Sequence, residues 1–219
     1  MVSVVGVGPG SSDYLIPLAR RRIEEADVLV GGERLLSLFP QVKAEKIPFR
    51  VHLDLSGLHQ QFEKVVVLAG GDPLLFGVLD WVLQSIPPHE VEVIPGISSV
   101  QYMLARLCLP LKDAAVVSLH GREGQLSDVV RKHATVVVFT DAEHTPVTIA
   151  QELLRTGLTD CCLYVGENLS CAEESIHRFR LEELARMEDR FGLNLVVICR
   201  CIPFSSVCPT VFFDVEMFP

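Results

Sequence analysis

Five short loops hold the residue types that could do chemistry, and each follows an apolar run. The first, Gly6-Val7-Gly8-Pro9-Gly10, has the glycines of a phosphate-cradling turn. A dinucleotide fold wants GxGxxG there, so that backbone N–H groups meet a pyrophosphate at a helix N-terminus. Here the sixth position is Ser11, and Pro9 removes one donor. That disfavours a nicotinamide cofactor, although Glu33 stands where a ribose-binding acid would. The turn is either a ligand loop or a plain chain reversal. The second loop runs Gly70-Gly71-Asp72-Pro73-Leu74-Leu75-Phe76-Gly77. Its paired glycines allow a ligand close to the backbone. Asp72 either caps the next helix or turns its carboxylate to a ligand hydroxyl or amine. Leu75 and Phe76 could wall an adenine or a thioether.

The third loop, Pro95-Gly96-Ile97-Ser98-Ser99, offers Ser98 or Ser99 as a helix cap. The fourth, Ser118-Leu119-His120-Gly121-Arg122, is either an ordinary polar loop or a carboxylate receiver through His120 and Arg122. The fifth, Val165-Gly166-Glu167-Asn168-Leu169, ends an apolar run in polar residues. Neither a GxSxG elbow nor a P-loop signature occurs. His52, His59, His89, His133, His144 and His177 show no metal-ligand spacing, and the expectation is no metal site. The seven cysteines include no CxxC. Cys199 and Cys201 would share a strand face, where small buried thiols are the plainer reading than a metal site. An odd cysteine count argues against a disulfide framework and for a reduced, cytoplasmic setting.

Positioning such loops needs strands that end together. Apolar runs at 3–7, 27–30, 65–69 and 91–94 predict buried strands in the first half. Between them come a helix opening at Pro17, a short helix at 33–39, and a helix carrying Leu75, Val78, Leu79, Val82 and Ile86 up to Pro87. Residues 40–60 show less regularity. A helix from Ser98 or Ser99 through Leu107 leads to the second half. There, strands are expected at 114–119, 135–139, 161–165 and 195–199, and helices at 126–133, 146–157 and 182–191. Alternating strands and helices mean α/β units with largely parallel sheets, whose carboxyl ends bind ligands. The Leu109-Pro110-Leu111-Lys112 stretch marks a boundary between domains 1–111 and 112–219.

Composition bounds the function. Of 219 residues, 49% are hydrophobic, so a sizeable core can form. The net charge of −9 argues against a nucleic-acid binder, whose affinity comes from neutralising phosphates. No apolar run reaches the roughly 18 residues of a membrane span. The Met-Val-Ser-Val-Val-Gly start lacks the basic region of a signal peptide.

Each loop alone is weak, but their order is specific. A GPG turn near the N-terminus, GGDPLLFG near residue 70 and PGISS some 25 residues later resemble the tetrapyrrole (corrin and porphyrin) methyltransferase family across nearly the whole chain. Within it, the VGVGPG stretch with Ala26-Asp27-Val28-Leu29-Val30-Gly31-Gly32, the Ser98-Ser99-Val100-Gln101 stretch and Val117-Ser118-Leu119-His120-Gly121-Arg122 resemble the branch acting on carbon 5 of a precorrin in cobalamin synthesis. Gly166-Glu167-Asn168-Leu169 with Glu173-Glu174 also resembles that branch. One departure is Ile16-Pro17, where relatives often carry Leu-Thr.

The resemblance implies a two-domain α/β fold of mixed, mostly parallel sheets, with S-adenosylmethionine in a cleft between the domains and S-adenosylhomocysteine as product. It implies cofactor contacts at Gly70, Gly71, Asp72, Leu75, Phe76, Ser98, Ser99, Phe139, Thr140, Val165, Gly166 and Glu167. Gly8, Pro9 and Gly10 would line a tetrapyrrole trough with His120 and Gly121. A multi-carboxylate substrate on an acidic protein needs a local basic cluster, for which Arg34, Arg50, His120 and Arg122 are the candidates. His120 is also the candidate for assisting proton loss. A homodimer is implied, and some relatives fuse this unit to a carbon-15 methyltransferase that decarboxylates, here expected as a separate protein. Methylation at another ring carbon, a dinucleotide-binding oxidoreductase and a non-catalytic nucleotide-binding module are the competing readings.

Overall fold

The structure is a computed structural model and describes residues 1–50, 52–119, 126–188 and 190–200. His120, Gly121 and Arg122 lie outside the described residues, as do Cys201 and Cys208. The chain forms two compact units, Met1–Ser99 and from Val100 onward.

The first unit runs β1 (Val2–Gly6), α1 (Pro17–Glu24), β2 (Val28–Gly31), α2 (Glu33–Ser37), β3 (Glu45–Pro48), α3 (Leu55–Gln61), β4 (Val65–Ala69), α4 (Leu79–Leu83) and β5 (Val91–Ile94). These strands form one sheet in the order β3-β2-β4-β1-β5, and every pairing is parallel. Strands β1, β2 and β4 are buried at every residue, as their unbroken valine-rich runs require. One face packs on Ala19, Ile23, Leu36 and Phe39, the other on Leu55, Val82 and Ile86. At the amino edge, Arg22 grips Glu92 at 2.7 and 2.9 Å, and Ser3 Oγ donates to the same carboxylate at 2.9 Å. Those hydrogen bonds and the positive charge of Arg22 hold the Glu92 carboxyl below its ordinary range, against the opposing effect of partial burial.

Helix α4 begins at Leu79, four residues later than its apolar spacing predicts. The reason is local. Phe76 sits in the left-handed region at φ 50°, and a Cβ on Gly77 would stand 2.4 Å from the Pro73 carbonyl oxygen. The segment is a turn, not a helix. Strand β3 and helix α3 occupy the stretch that lacked visible periodicity. Asp54 caps α3 by accepting from Gly57 N–H at 2.9 Å.

The second unit runs α5 (Ser99–Arg106), β6 (Ala114–Ser118), α6 (Leu126–Lys132), β7 (Thr135–Phe139), α7 (Pro146–Arg155), β8 (Cys161–Glu167), β9 (Ser175–Arg180), α8 (Leu181–Leu184) and β10 (Asn194–Arg200). Helix α5 belongs with this unit although the sequence puts the linker after it. Met103 packs where a Cβ on Gly166 would meet its sulfur at 2.7 Å, and Arg106 pairs with Glu174 at 3.1 Å. The sheet order is β6-β7-β10-β8-β9. Only β6 and β7 are parallel, while β10 runs antiparallel to β7 and β8, and β9 antiparallel to β8. Taken over both sheets the described pairings are mostly parallel, as expected. All the antiparallel strand pairs among the described residues fall here. The cause is β9 (SIHRFR), a strand with no apolar run to announce it: it turns the chain back along β8, so β10, reached through an α8 that ends at Leu184 and not at 191, runs against β8 and β7. Strand alternation sends Val136, Val138, Leu163, Val165, Val196 and Ile198 into one apolar cluster under α6, α7 and α8.

The sheet edges differ in character. Edge strand β3 carries Glu45, Lys46 and Pro48; β5 carries Glu92; β9 carries His177, Arg178 and Arg180. Edge strand β6 reads AAVVS and is half-buried along its length.

Candidate functional site

In the first unit the parallel sheet delivers three of the sequence-predicted loops to one edge. Val7 N–H donates to Ala69 O at 2.9 Å, Gly71 N–H to Gly8 O at 2.8 Å and Gly8 N–H to Gly71 O at 3.3 Å, so the GPG turn is laced to the GGDP loop. Gly8 takes φ 82° and Gly71 φ 68°, a region that favours glycine. The third loop closes on both. A Cβ on Gly96 would lie 2.2 Å from the Gly71 carbonyl oxygen, and one on Gly6 would lie 2.5 Å from Gly96 N. Gly6, Gly71 and Gly96 are therefore spent on packing backbone against backbone. Gly70 differs. The nearest atoms to a Cβ there are an Arg34 guanidinium nitrogen at 3.6 Å and a Leu35 methyl at 3.9 Å. It is the glycine of this group with room above it.

Asp72 is half-buried. Its Oδ1 accepts from Leu74 N–H at 2.8 Å, closing a turn, so it does not cap α4. Its Oδ2 points to no partner in that turn. Leu75 is half-buried, whereas Leu74 and Phe76 are exposed at 63% and 60%. Ser98 is buried and directly precedes α5, which opens at Ser99. Pro9 and Gly10 are half-buried beside the turn. Arg34, on α2, and Arg50, just past β3, are exposed beyond the carboxyl ends of β2 and β3. This edge thus gathers open backbone, one carboxylate, apolar surface and two guanidinium groups.

In the second unit Ser118, Phe139, Leu195, Gly166 and Ile176 form one row across the sheet. Thr140, next to it, donates from Oγ1 to Asn194 O at 3.0 Å. Glu167 Oε1 accepts from Gly192 N–H at 2.8 Å, tying the end of β8 to the entry of β10. Val165 points into the apolar cluster, and Gly166 is filled over by Met103, so neither offers a side chain to a ligand.

A cavity of about 440 Å³ opens here, lined among others by Thr140, Asp141, Thr145, Phe191, Leu193 and Asn194. Asn194 Nδ2 donates to Gly192 O at 2.7 Å, and its buried Oδ1 has no partner among the described residues. A buried acceptor left over costs about 1–3 kcal/mol unless something donates to it. Asp141 accepts from the backbone of His144 and Glu143 at 2.7 and 2.9 Å and faces the His144 imidazole at 3.0 Å. These N–H groups, the backbone of His144 foremost, bring its carboxyl down to about 2. The sequence reading missed Asn194, Asp141 and His144. An acid three residues before a histidine at a strand end was a signal for the latter pair; a lone asparagine gave none.

Such a set of loops on two α/β units defines a class. A family model described as Tetrapyrrole (Corrin/Porphyrin) Methylases matches residues 1–185. The chain belongs to this family. It is 36% identical over 201 residues to the cobalt-precorrin-7 C(5)-methyltransferase of Salmonella typhimurium, covering 90% of this chain and 98% of that protein. Among solved structures it is similar to the uroporphyrin-III C-methyl transferase of Thermus thermophilus complexed with S-adenyl homocysteine, with TM-score 0.75, 30% identity, and 90% and 91% of the two chains covered. It is likewise similar to the precorrin-6Y methylase of cobalamin biosynthesis from Archaeoglobus fulgidus, with TM-score 0.69, 25% identity, and 92% and 99% covered. No helix among the described residues is long and apolar enough to cross a membrane, and no group of three or more His, Cys, Asp or Glu among them could hold a metal ion.

Proposed function

We propose that the chain transfers a methyl group from S-adenosylmethionine to carbon 5 of a (cobalt-)precorrin, in cobalamin biosynthesis. The observation that carries the reading is the near full-length similarity to a carbon-5 enzyme, on a chain whose loops leave Gly70 open beside a half-buried carboxylate.

The described residues suit the cofactor. In the first unit Asp72 keeps one oxygen for an ammonium group and Gly70 leaves backbone accessible. In the second unit, taken by itself, the Asn194 Oδ1 that has no partner among the described residues would accept from a donor such as an exocyclic amine or ribose hydroxyl. Ser98 and Ser99 at the start of α5, and Phe139 and Thr140 at the end of β7, are the further cofactor contacts that the family resemblance implies within each unit. The bound cofactor supplies a methyl group already activated by a positive sulfur. The protein then has to align a nucleophilic ring carbon with that methyl, a contribution worth about 7–11 kcal/mol. This accounts for a site whose residues bind and orient without a nucleophile–base pair. Arg34 and Arg50 would hold substrate carboxylates against the repulsion of a chain with net charge −9. His120 remains the candidate for receiving the proton lost from the ring. The same reading carries a homodimer, which sedimentation equilibrium tests separately.

The deciding experiment is mass spectrometry of a precorrin incubated with the protein and methyl-labelled S-adenosylmethionine. One labelled methyl at carbon 5 is expected. A methyl at another ring carbon overturns the position. Absence of both transfer and S-adenosylhomocysteine binding overturns the class.

A further inference from the structure

The second sheet sets two thiols face to face. In the β8–β10 ladder Cys162 stands directly opposite Cys199. Neither is disulfide-bonded, and they are 5% and 6% exposed. Cys161 belongs to the apolar cluster under the helices, so alternation puts Cys162 and Cys199 together on the opposite face. Directly opposed residues of an antiparallel pair have Cα atoms about 4.5–5.5 Å apart. That spacing lies inside the range of about 4.4–6.8 Å that a disulfide requires. A bridge between these two strands therefore needs only a small closing of the Cβ atoms, which stand about 4.5–5.5 Å apart in such a pair against about 3.5–4.5 Å in a disulfide.

The surroundings distinguish the two sulfurs. Cys162 interacts with Cys199, with the Arg178 guanidinium from the edge strand β9 and with the Tyr164 hydroxyl. These hydrogen bonds, that from Cys199 foremost, and the charge of Arg178 outweigh burial and bring the Cys162 thiol down to about 6. Arg178 is itself exposed, so the pair lies one strand in from a solvent-facing edge. Cys108 is an exposed free thiol and serves as an internal control. Nothing in the methyl-transfer reading uses this pair, and the inference does not rest on that reading.

We propose that Cys162 and Cys199 form a redox site, in which hydrogen peroxide converts the dithiol to a cross-strand disulfide. The Cys162 thiolate attacks one peroxide oxygen. An S–O bond forms, the O–O bond breaks, and hydroxide leaves to become water on taking up a proton. Cys199 sulfur then attacks the resulting sulfenic acid. The S–S bond forms, the S–O bond breaks, and the departing hydroxide takes the Cys199 proton as a second water. Two electrons pass from the two sulfurs to the peroxide. The product staples β8 to β10 and removes the negative charge beside Arg178.

The test treats the native full-length chain with peroxide, alkylates the remaining thiols and maps tryptic peptides by tandem mass spectrometry. Cleavage after Arg200 separates Cys199 from Cys201, and fragmentation separates Cys161 from Cys162. The expected product is a Cys162–Cys199 linked peptide that a thiol reductant reverses. In Cys199→Ser that peptide is absent and a sulfenic-acid probe labels Cys162. Arg178→Gln slows oxidation of Cys162 by about threefold or more at pH 7, because the thiolate fraction falls. Both cysteines fully alkylated while Cys108 is oxidised, or a link that forms only after denaturation, overturns the proposal. A bridge from Cys162 to any other cysteine overturns it as well. An unchanged rate in Arg178→Gln overturns the assignment of Cys162 as the attacking sulfur.

Discussion

Replacing Gly96 by alanine should unfold the first unit far more readily than replacing Gly70, although both glycines end strands of one sheet. The Gly96 methyl would sit 2.2 Å from the Gly71 carbonyl oxygen and 2.9 and 3.0 Å from Gly6 backbone carbons, where ordinary contact begins at 3.4 Å. Every obstacle is backbone, so no side chain can swing aside. Overpacking that side chains can absorb costs about 1–3 kcal/mol. Here the loops must also part, and the two Gly8–Gly71 hydrogen bonds each contribute about 0.5–1.5 kcal/mol. A loss of about 2–6 kcal/mol follows. For a unit spanning Met1–Ser99, each kcal/mol moves Tm by about 4–8 °C. Gly96→Ala should therefore lower the melting temperature by at least about 8 °C in a circular-dichroism scan. Gly70→Ala meets its nearest atom at 3.6 Å and should stay within about 2 °C of the parent. Its effect belongs to the ligand, with S-adenosylhomocysteine affinity falling about tenfold in calorimetry, or about 1.4 kcal/mol. Equal melting temperatures for the two variants would refute the interlocked-glycine argument. A cold-sensitive, poorly folded Gly70→Ala would refute the claim of free space above that residue.

Three further outcomes are expected. Asp72→Asn keeps the turn, because an amide oxygen can still accept from Leu74 N–H. It should leave Tm unchanged while weakening S-adenosylmethionine binding about tenfold through loss of the charge. Arg34→Ala and Arg50→Ala should each raise KM for the tetrapyrrole several-fold and leave cofactor affinity nearly intact; equal losses of both would make these arginines structural. Asp141 and Glu92 have carboxyls lower in the folded than in the unfolded chain, so their stabilisation is full only above the unfolded values, 3.8 for Asp141 and 4.5 for Glu92. It is lost as pH falls through the folded values, that of Asp141 being about 2, and Asp141→Asn should flatten this acid limb in pH-dependent melting.

The sequence was most readable where burial is two-sided. Strands β1 and β4 announce themselves because unbroken valine runs suit only a sheet covered on both faces. It was least readable at the margins. Strand β3 (EKIP) and strand β9 (SIHRFR) are edge strands, and their polar residues hide the pattern. The start of α4 was misplaced because Leu75 and Val78 keep helical spacing while Phe76 and Gly77 take a conformation that spacing cannot reveal. The glycine loops marked the edge of the first unit correctly, but composition could not say which glycines face each other and which one is open. Gly6 and Gly96 differ from Gly70 only in what lies opposite, and that is a tertiary fact. Asn194 was invisible for the same reason, since an orphan acceptor is defined by the neighbours it lacks.

The four sheet edges carry a consequence for colloidal behaviour. An open strand edge is a template on which another chain can polymerise, and natural edges are blunted by charge, proline or brevity. Strand β3 is guarded by Glu45, Lys46 and Pro48, β5 by Glu92 with Arg22, and β9 by His177, Arg178 and Arg180. Strand β6, Ala114–Ser118, has no such gatekeeper: alanines, valines and a serine, none charged, along a half-buried edge. Under conditions that loosen the second unit, aggregation should therefore nucleate at β6, and a lysine in place of Val116, on the face away from the apolar cluster that Ala115 and Val117 pack against, should be a more effective solubilising change than any addition to the already basic β9.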